Sequence, residues 1–146
     1  MIEIVTERSR MDVEAIHRFL SEESYWAKGI ARAVVERSIE HSHCFGAFDG
    51  AIQVGFARVI TDYATFAYLA DVYVLPSHRG RGIAKQIMRA VRSHPALQGL
   101  RRWHLVTRDA QALYAQFGFA PLETPERHMA IVSARPMALE ADRTRG

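Results

Sequence analysis

The segment Asp71-Val-Tyr-Val-Leu-Pro-Ser-His-Arg-Gly-Arg-Gly-Ile-Ala84 constrains the fold of this 146-residue chain more than any other. It closes the aromatic and β-branched run Thr65–Leu75, which reads as a strand ended by Pro76. Two glycines and two arginines follow, and then the hydrophobic period changes. Over Gly82–His94, Ile83, Ile87 and Val91 form an apolar stripe at helical spacing, with Ala84 and Met88 alongside. Arg81, Lys85, Arg89 and Arg92 fall on another face, and Pro95 ends the helix. A strand that feeds a helix through so short a turn requires a layered fold, the helix laid back across a sheet. Gly80 and Gly82 let backbone N–H groups approach a ligand closely. The helix start adds uncapped donors and the positive end of its dipole. Such a turn suits an anion, a phosphate above all.

The rest of the chain supplies the other layers. Ile2–Thr6 reads as a short strand. Asp12 caps a helix carrying Val13, Ile16, Phe19 and Leu20, and Ser21–Gly29 reads as a loop. Ile30, Val34 and Ile39 mark a second helix that ends before His41. His43–Phe48 and Ile52–Ile60 read as strands joined by a tight turn at Asp49-Gly50, both residues at positive φ. Trp103–Thr107 reads as a strand, Ala110–Phe117 as a helix closed by Gly118, and His128–Val132 as a last strand. The order β-α-α-β-β-β-α-β-α-β is that of an α/β chain of the α+β type, with a mixed sheet and helices packed on it. A single domain is expected over residues 1–139. The polar, small-residue character that sets in at Ser133 makes 140–146 a loosely ordered tail.

Composition narrows the function classes. About half the residues are apolar and a quarter charged, as in ordinary globular domains. The single cysteine, Cys44, rules out an internal disulfide and fits a reducing, cytoplasmic location. No signal peptide and no membrane span are expected. The net charge is +3, and much of the positive charge clusters between Arg79 and Arg102 around the glycine turn. That distribution points to a phosphorylated small ligand more than to a nucleic-acid surface. Arg101-Arg102 beside Trp103 is too small a footprint for nucleic acid. His41 and His43 share a strand face without a third ligand, so no metal is expected.

Two well-known phosphate loops are excluded. A Walker loop needs Gly-Lys-Ser/Thr, whereas Ile83-Ala84 follow Gly82, and a dinucleotide fingerprint needs a third glycine. What remains is Arg-x-x-Gly-x-Ala, carried by Arg79, Gly82 and Ala84 at the end of a strand. This closely resembles the Gln/Arg-x-x-Gly-x-Gly/Ala signature of the GNAT acetyltransferase superfamily. Asp109-Ala-Gln-Ala-Leu-Tyr-Ala-Gln-Phe-Gly-Phe119 is similar to a second family segment, Ala-x-x-x-Tyr-x-x-x-Gly-Phe. The resemblance runs from Ile2 to about Val132.

The resemblance implies a mixed central sheet of six to seven strands with about four helices, splayed between the fourth and fifth strands. Acetyl-CoA would enter that splay. The turn Arg79, Gly80, Arg81, Gly82, Ile83 and Ala84 would hold its pyrophosphate, with Lys85 one helical turn on. The backbone of Val72, Tyr73, Val74 and Leu75 would hold the pantetheine arm and polarise the thioester. Asp109 either touches the pantetheine or is only a helix cap. Tyr114 matches the family tyrosine at the CoA sulfur, where a phenol can protonate the leaving thiolate.

The acceptor is expected to be a small-molecule or peptide amine, attacking directly in a ternary complex. An alkylamine must first lose a proton, and Asp71 is the first candidate base, Tyr68 the second. Strand alternation puts these two on opposite faces unless a bulge intervenes. Asp71 reads equally as a structural hydrogen-bonding residue. Glu22, Glu23, Tyr25, Trp26 and Asp62 form the candidate acceptor pocket, acids and aromatics suiting a cation. The alternative is a CoA-binding module without catalysis, serving as a sensor or assembly part. The family's habits allow a homodimer, but no segment marks its interface.

Overall fold

The computed structural model describes residues 1–133; the expected domain limit at 139 and the tail 140–146 lie outside the described residues. Five strands form one sheet in chain order: β1 (Ile2–Val5), β2 (His43–Asp49), β3 (Ile52–Thr61), β4 (Phe66–Val74) and β5 (Arg102–His104). β1 to β4 pair antiparallel and β5 pairs parallel to β4, so the sheet is mixed. The helices are α1 (Val13–Glu22), α2 (Arg32–Glu40), α3 (Ile83–Ser93) and α4 (Gln111–Ala115).

The sheet separates two apolar layers. Phe45, Ala47, Ala57, Val59 and Leu69 pack with Ile83, Ile87 and Val91 of α3 and with Tyr114 of α4. Cys44, Phe56 and Tyr73 face the other way, against Ile16, Phe19 and Leu20 of α1 and Val35 and Ile39 of α2. Strand alternation accounts for the division: Phe45 and Ala47 lie on one side of β2, Cys44 on the other. Gly55 sits in a tight place: a Cβ there would stand 3.0 Å from Ile87 Cδ1 and 3.2 Å from both Ala47 Cβ and the Tyr73 carbonyl oxygen, so its neighbours would have to give way. The α1 start is fixed twice. Asp12 accepts from the Ala15 amide at 3.0 Å, as a cap should, and its own amide donates to buried Gln53 Oε1 at 2.8 Å.

Three expectations are corrected. Among the described residues the sheet has five strands, not six to seven, because 128–132 are not paired into it. The hairpin turn lies one residue later than expected. Asp49 still pairs with Ile52, and only Gly50 takes positive φ, at 62°. That is the pattern of a turn with glycine at its first central position. The fifth strand is shorter than 103–107: it pairs Phe66, Ala67 and Tyr68 with Arg102, Trp103 and His104, and pairing then stops.

Candidate active site

The end of pairing after Tyr68 and His104 creates the site. β4 runs on to Val74, whereas the chain beyond His104 leaves the sheet, so two parallel neighbours diverge toward their C-terminal ends. The splay between the fourth and fifth strands is therefore present. It holds a cavity of about 380 Å³, with residues 68–72 on one wall and 105–110 on the other. Tyr25, Trp26 and Tyr114 complete the lining. Backbone groups of β4 past Tyr68 have no fifth-strand partner, which leaves polar main chain facing the gap.

The β4 wall is bent. Phe56 pairs with Tyr73 and Arg58 with Ala70, so Asp71 and Val72 together oppose Ala57 in a bulge. Asp71 takes φ 55°, a left-handed conformation that few non-glycine residues adopt. Its carboxylate accepts from Arg58 Nε at 2.8 Å through Oδ2 and from Trp26 Nε1 at 2.8 Å through Oδ1. Arg58 also donates to Ser42 Oγ at 3.1 Å. The side chains of Arg58 and Asp71 are only 16% and 9% exposed, so the pair is largely shielded from water. Simple alternation would put Asp71 and Tyr68 on opposite faces; the bulge intervenes, and both line the cavity.

The loop after α1 closes the top. Ser24 Oγ donates to the Leu20 carbonyl at 2.7 Å and accepts from the Ala27 amide at 3.0 Å. These bonds curl the chain so that Ala27 and Ile30 go into the core while Tyr25 and Trp26 stay outside it. Tyr25 Oη accepts from the Arg108 amide at 3.0 Å, and the Arg108 guanidinium lies 3.8 Å from the centre of the Tyr25 ring. Trp26 meets Tyr25 edge-on at 5.0 Å. The loop is thus tied to both walls, to β4 through Trp26 and to the 105–110 wall through Tyr25.

Tyr114 projects from α4 into the cavity lining and is buried. Burial pushes its phenol up to about 12, with Tyr25 and Asp109 adding to the shift. It therefore remains a proton donor through the neutral and moderately alkaline range. Asp109 lines the cavity beside it, 3.6 Å from Arg108 Nη2. Asp109 is not the cap of α4: Ala110 holds that position, and the Ala110 amide donates to Thr107 Oγ1 at 3.1 Å.

The glycine turn follows the C-terminal end of β4, on the open side of the splay. Gly80 and Gly82 have φ 79° and 76°, and a Cβ on either would meet nothing within 4 Å. The glycines are there for backbone conformation, and the space above them is open. α3 begins at Ile83 without a side-chain cap, so its first amides are free for a ligand. Arg79 Nε donates to the Val74 carbonyl at 3.0 Å and braces the turn against β4. Arg81 and Lys85 are exposed around it. Tyr73, placed by the sequence on the same wall, turns its ring into the core and stacks on Phe19 at 3.9 Å.

Three expected acceptor residues, Asp62, Glu22 and Glu23, lie elsewhere. Asp62 is outside the cavity lining. Its carboxylate takes the Thr65 hydroxyl at 2.6 Å and the amides of Ala64, Thr65 and Phe66, bonds that hold its pKa far below the usual carboxylate range. It organises the β3–β4 turn. Glu22, at the exposed end of α1, is likewise not in the lining. Arg58 and Arg108 were missed. Arg58 had a signal: it is an arginine inside the apolar run Val54-Gly-Phe-Ala-Arg-Val59, and such a charge needs a carboxylate partner.

A mixed sheet splayed between parallel neighbours, with a glycine turn opening a helix at the wide end, defines an acyltransferase fold. The chain belongs to the GNAT acetyltransferase family: residues 40–121 match the sequence profile of the acetyltransferase (GNAT) domain. A protein of Gibberella zeae, provisionally named an acetyltransferase, is 31% identical over 135 residues, covering 77% of this chain and 75% of that one. A crystal structure from Xanthomonas campestris pv. campestris, provisionally assigned to the same family, is 51% identical. It superposes with a TM-score of 0.91 over 95% of this chain and 98% of its own. An aminoglycoside N-acetyltransferase solved with CoA shares the fold at 22% identity. Its TM-score is 0.65, over 93% of this chain and 95% of its own.

Proposed function

We propose that the protein transfers an acetyl group from acetyl-CoA to an amine, the amine attacking the thioester directly while both are bound. The observation that carries this reading is the splay itself: an open gap with a buried phenol, Tyr114, on its wall. A glycine turn and an uncapped helix start lie at its wide end. The free amides of α3 and the open space over Gly80 and Gly82 suit a pyrophosphate. Arg81 and Lys85 supply charge around it.

The pantetheine would lie along β4 from Leu75 back to Val72, hydrogen-bonded as a substitute for the missing strand. N–H groups of that wall would stabilise the negative charge that develops on the thioester oxygen. As the tetrahedral intermediate collapses, the C–S bond breaks and the thiolate takes the Tyr114 proton. Asp109 would meet the pantetheine amides from the opposite wall.

Asp71 acts in this scheme as a positioning residue. Its two oxygens hold Trp26 and Arg58, and it sets the bend of the thioester wall. The proton of the attacking amine then leaves through water in the open gap, beside Tyr68. With Asp71 matched by Arg58 and Asp109 beside Arg108, the lining carries little net charge. An amine of low charge, recognised by Tyr25 and Trp26, suits it better than a polycation. The engagement of Asp71 also favours a second reading, a CoA-binding sensor without turnover. Release of CoA thiol over a panel of monoamines, amino acid derivatives and polyamines separates the two. Turnover with a member of the panel, lost in Tyr114→Phe, supports the enzyme; acetyl-CoA binding without thiol release from the whole panel supports the sensor.

A further inference from the structure

A second cavity, of about 170 Å³, lies between α1 and the neighbouring ends of β3 and β4. Among the described residues its lining draws on nothing beyond Leu75. Phe19, Ile52 and Leu75 make it partly apolar. Gln53 is fully engaged within the fold: Oε1 accepts from the Asp12 amide at 2.8 Å and Nε2 donates to the Gly55 carbonyl at 3.2 Å. Tyr73 is different. It is only 6% exposed and lines the cavity, yet among the described residues no hydrogen bond reaches its hydroxyl. A buried hydroxyl without a partner is costly and points to a ligand. Three charged groups around the same hollow are unpaired as well. Asp12 caps α1 through Oδ1, which leaves Oδ2 without a partner among the described residues. Exposed Arg18 and Glu23 form no ion pair there either. Burial raises the Tyr73 phenol above its ordinary value, with Asp12 adding to the shift and Arg18 opposing it, so both charges bear on this hydroxyl.

We propose that this cavity binds a free amino acid with a small apolar side chain. The ammonium group meets Asp12 and Glu23, the carboxylate meets Arg18 and the Tyr73 hydroxyl, and the side chain lies against Phe19, Ile52 and Leu75. Two carboxylates alone would suit a plain amine, and a guanidinium alone a plain carboxylate. Only a ligand that carries both charges answers all three groups. Size agrees: the cavity has the volume of about six water molecules, which accommodates leucine and excludes a nucleotide. The two cavities share no lining residue, so a ligand here sits apart from the acetyl acceptor.

Titration calorimetry of the full chain with leucine, isoamylamine and 4-methylpentanoate tests this. Acetyl-CoA is left out, so the result does not depend on the acetyltransferase reading. Leucine is expected to bind the wild type, and each analogue, which lacks one of the two charges, to bind at least about tenfold more weakly. Arg18→Ala and Tyr73→Phe should each weaken leucine by about tenfold or more. Both variants should keep a cooperative thermal transition, because Arg18 is exposed and phenylalanine retains the ring stacked on Phe19. No binding of leucine, valine or methionine to the wild type at about 10 mM overturns the proposal. An analogue that binds as tightly as leucine overturns the ligand class. Leucine affinity unchanged in both folded variants places the ligand elsewhere and overturns the site.

Discussion

The indole N–H of Trp26 donates to Asp71 Oδ1 at 2.8 Å, joining the loop after α1 to the bulged strand across the top of the gap. The same carboxylate holds Arg58 at 2.8 Å, and the Asp71 backbone sits at φ 55°. Three features that are separate in the sequence thus depend on one side chain. Asp71→Ala removes the partner of a shielded guanidinium and is expected to cost about 3 kcal/mol. Asp71→Asn tolerates the left-handed backbone and keeps an acceptor, so it should cost less. Urea denaturation midpoints check the order; equal stability of Asp71→Ala and wild type would contradict it.

Trp26→Phe keeps an aromatic ring but removes the pyrrole half of the indole together with its N–H. It is expected to lower stability by about 1 kcal/mol and to raise the acceptor KM more than it lowers kcat. Steady-state kinetics with the amine varied at saturating acetyl-CoA provides the comparison. A fall in kcat alone would give Trp26 a role in the chemical step instead.

Tyr114→Phe separates catalysis from folding. Among the described residues no hydrogen bond reaches the Tyr114 hydroxyl, so its removal should change stability by less than about 0.5 kcal/mol. Turnover should fall on the order of a hundredfold while acetyl-CoA affinity holds. Because burial pushes this phenol up to about 12, wild-type turnover should show no loss centred near pH 10. Such a loss would mean that the proton donor is an ordinary, exposed phenol.

Stability should fall as the solution is acidified below about pH 6.5. Burial holds the His43 pKa below its ordinary value, helped by His94 and Arg8, and His104 is lowered by burial, His128 and Arg102. A depressed histidine pKa means that the unfolded chain binds the proton first. The contribution is therefore complete above 6.5 and is lost as pH falls toward the folded-state values. His43 Nδ1 meets Tyr63 Oη at 3.1 Å, and among the described residues its Nε2 is buried without a partner, so protonation finds no compensating acceptor there. Thermal melts from pH 8 to 5 should show the fall, and His43→Gln should shallow it. A profile identical to wild type in the variant would assign the effect to other groups.

Local physics made much of this readable from the residues. The α3 stripe, the Asp12 cap and the glycine turn each rest on neighbours within a few positions, and all three occur as expected. Tyr114 was reached through its place in a motif and does line the gap. The failures are non-local. A bulge at Asp71 shows only when β3 and β4 are aligned across the sheet, and Arg58 gains meaning only as its partner. Residues 128–132 have strand composition, but a strand requires an edge to pair with, and no periodicity reports that. Asp62 near aromatics reads as a site acid because an Asx turn and a binding carboxylate draw on the same residue type.

Titration calorimetry of acetyl-CoA against the wild type, Gly82→Ala and Gly82→Trp tests the central claim most directly. At φ 76° any side chain strains the turn by about 1 kcal/mol, yet a Cβ meets nothing within 4 Å, so both variants should fold. The account predicts binding to the wild type, weaker binding to Gly82→Ala and none to a folded Gly82→Trp, whose indole would fill the space over the turn. Wild-type affinity in a folded Gly82→Trp, or no binding to the wild type, would contradict the assignment of the glycine turn as the phosphate site.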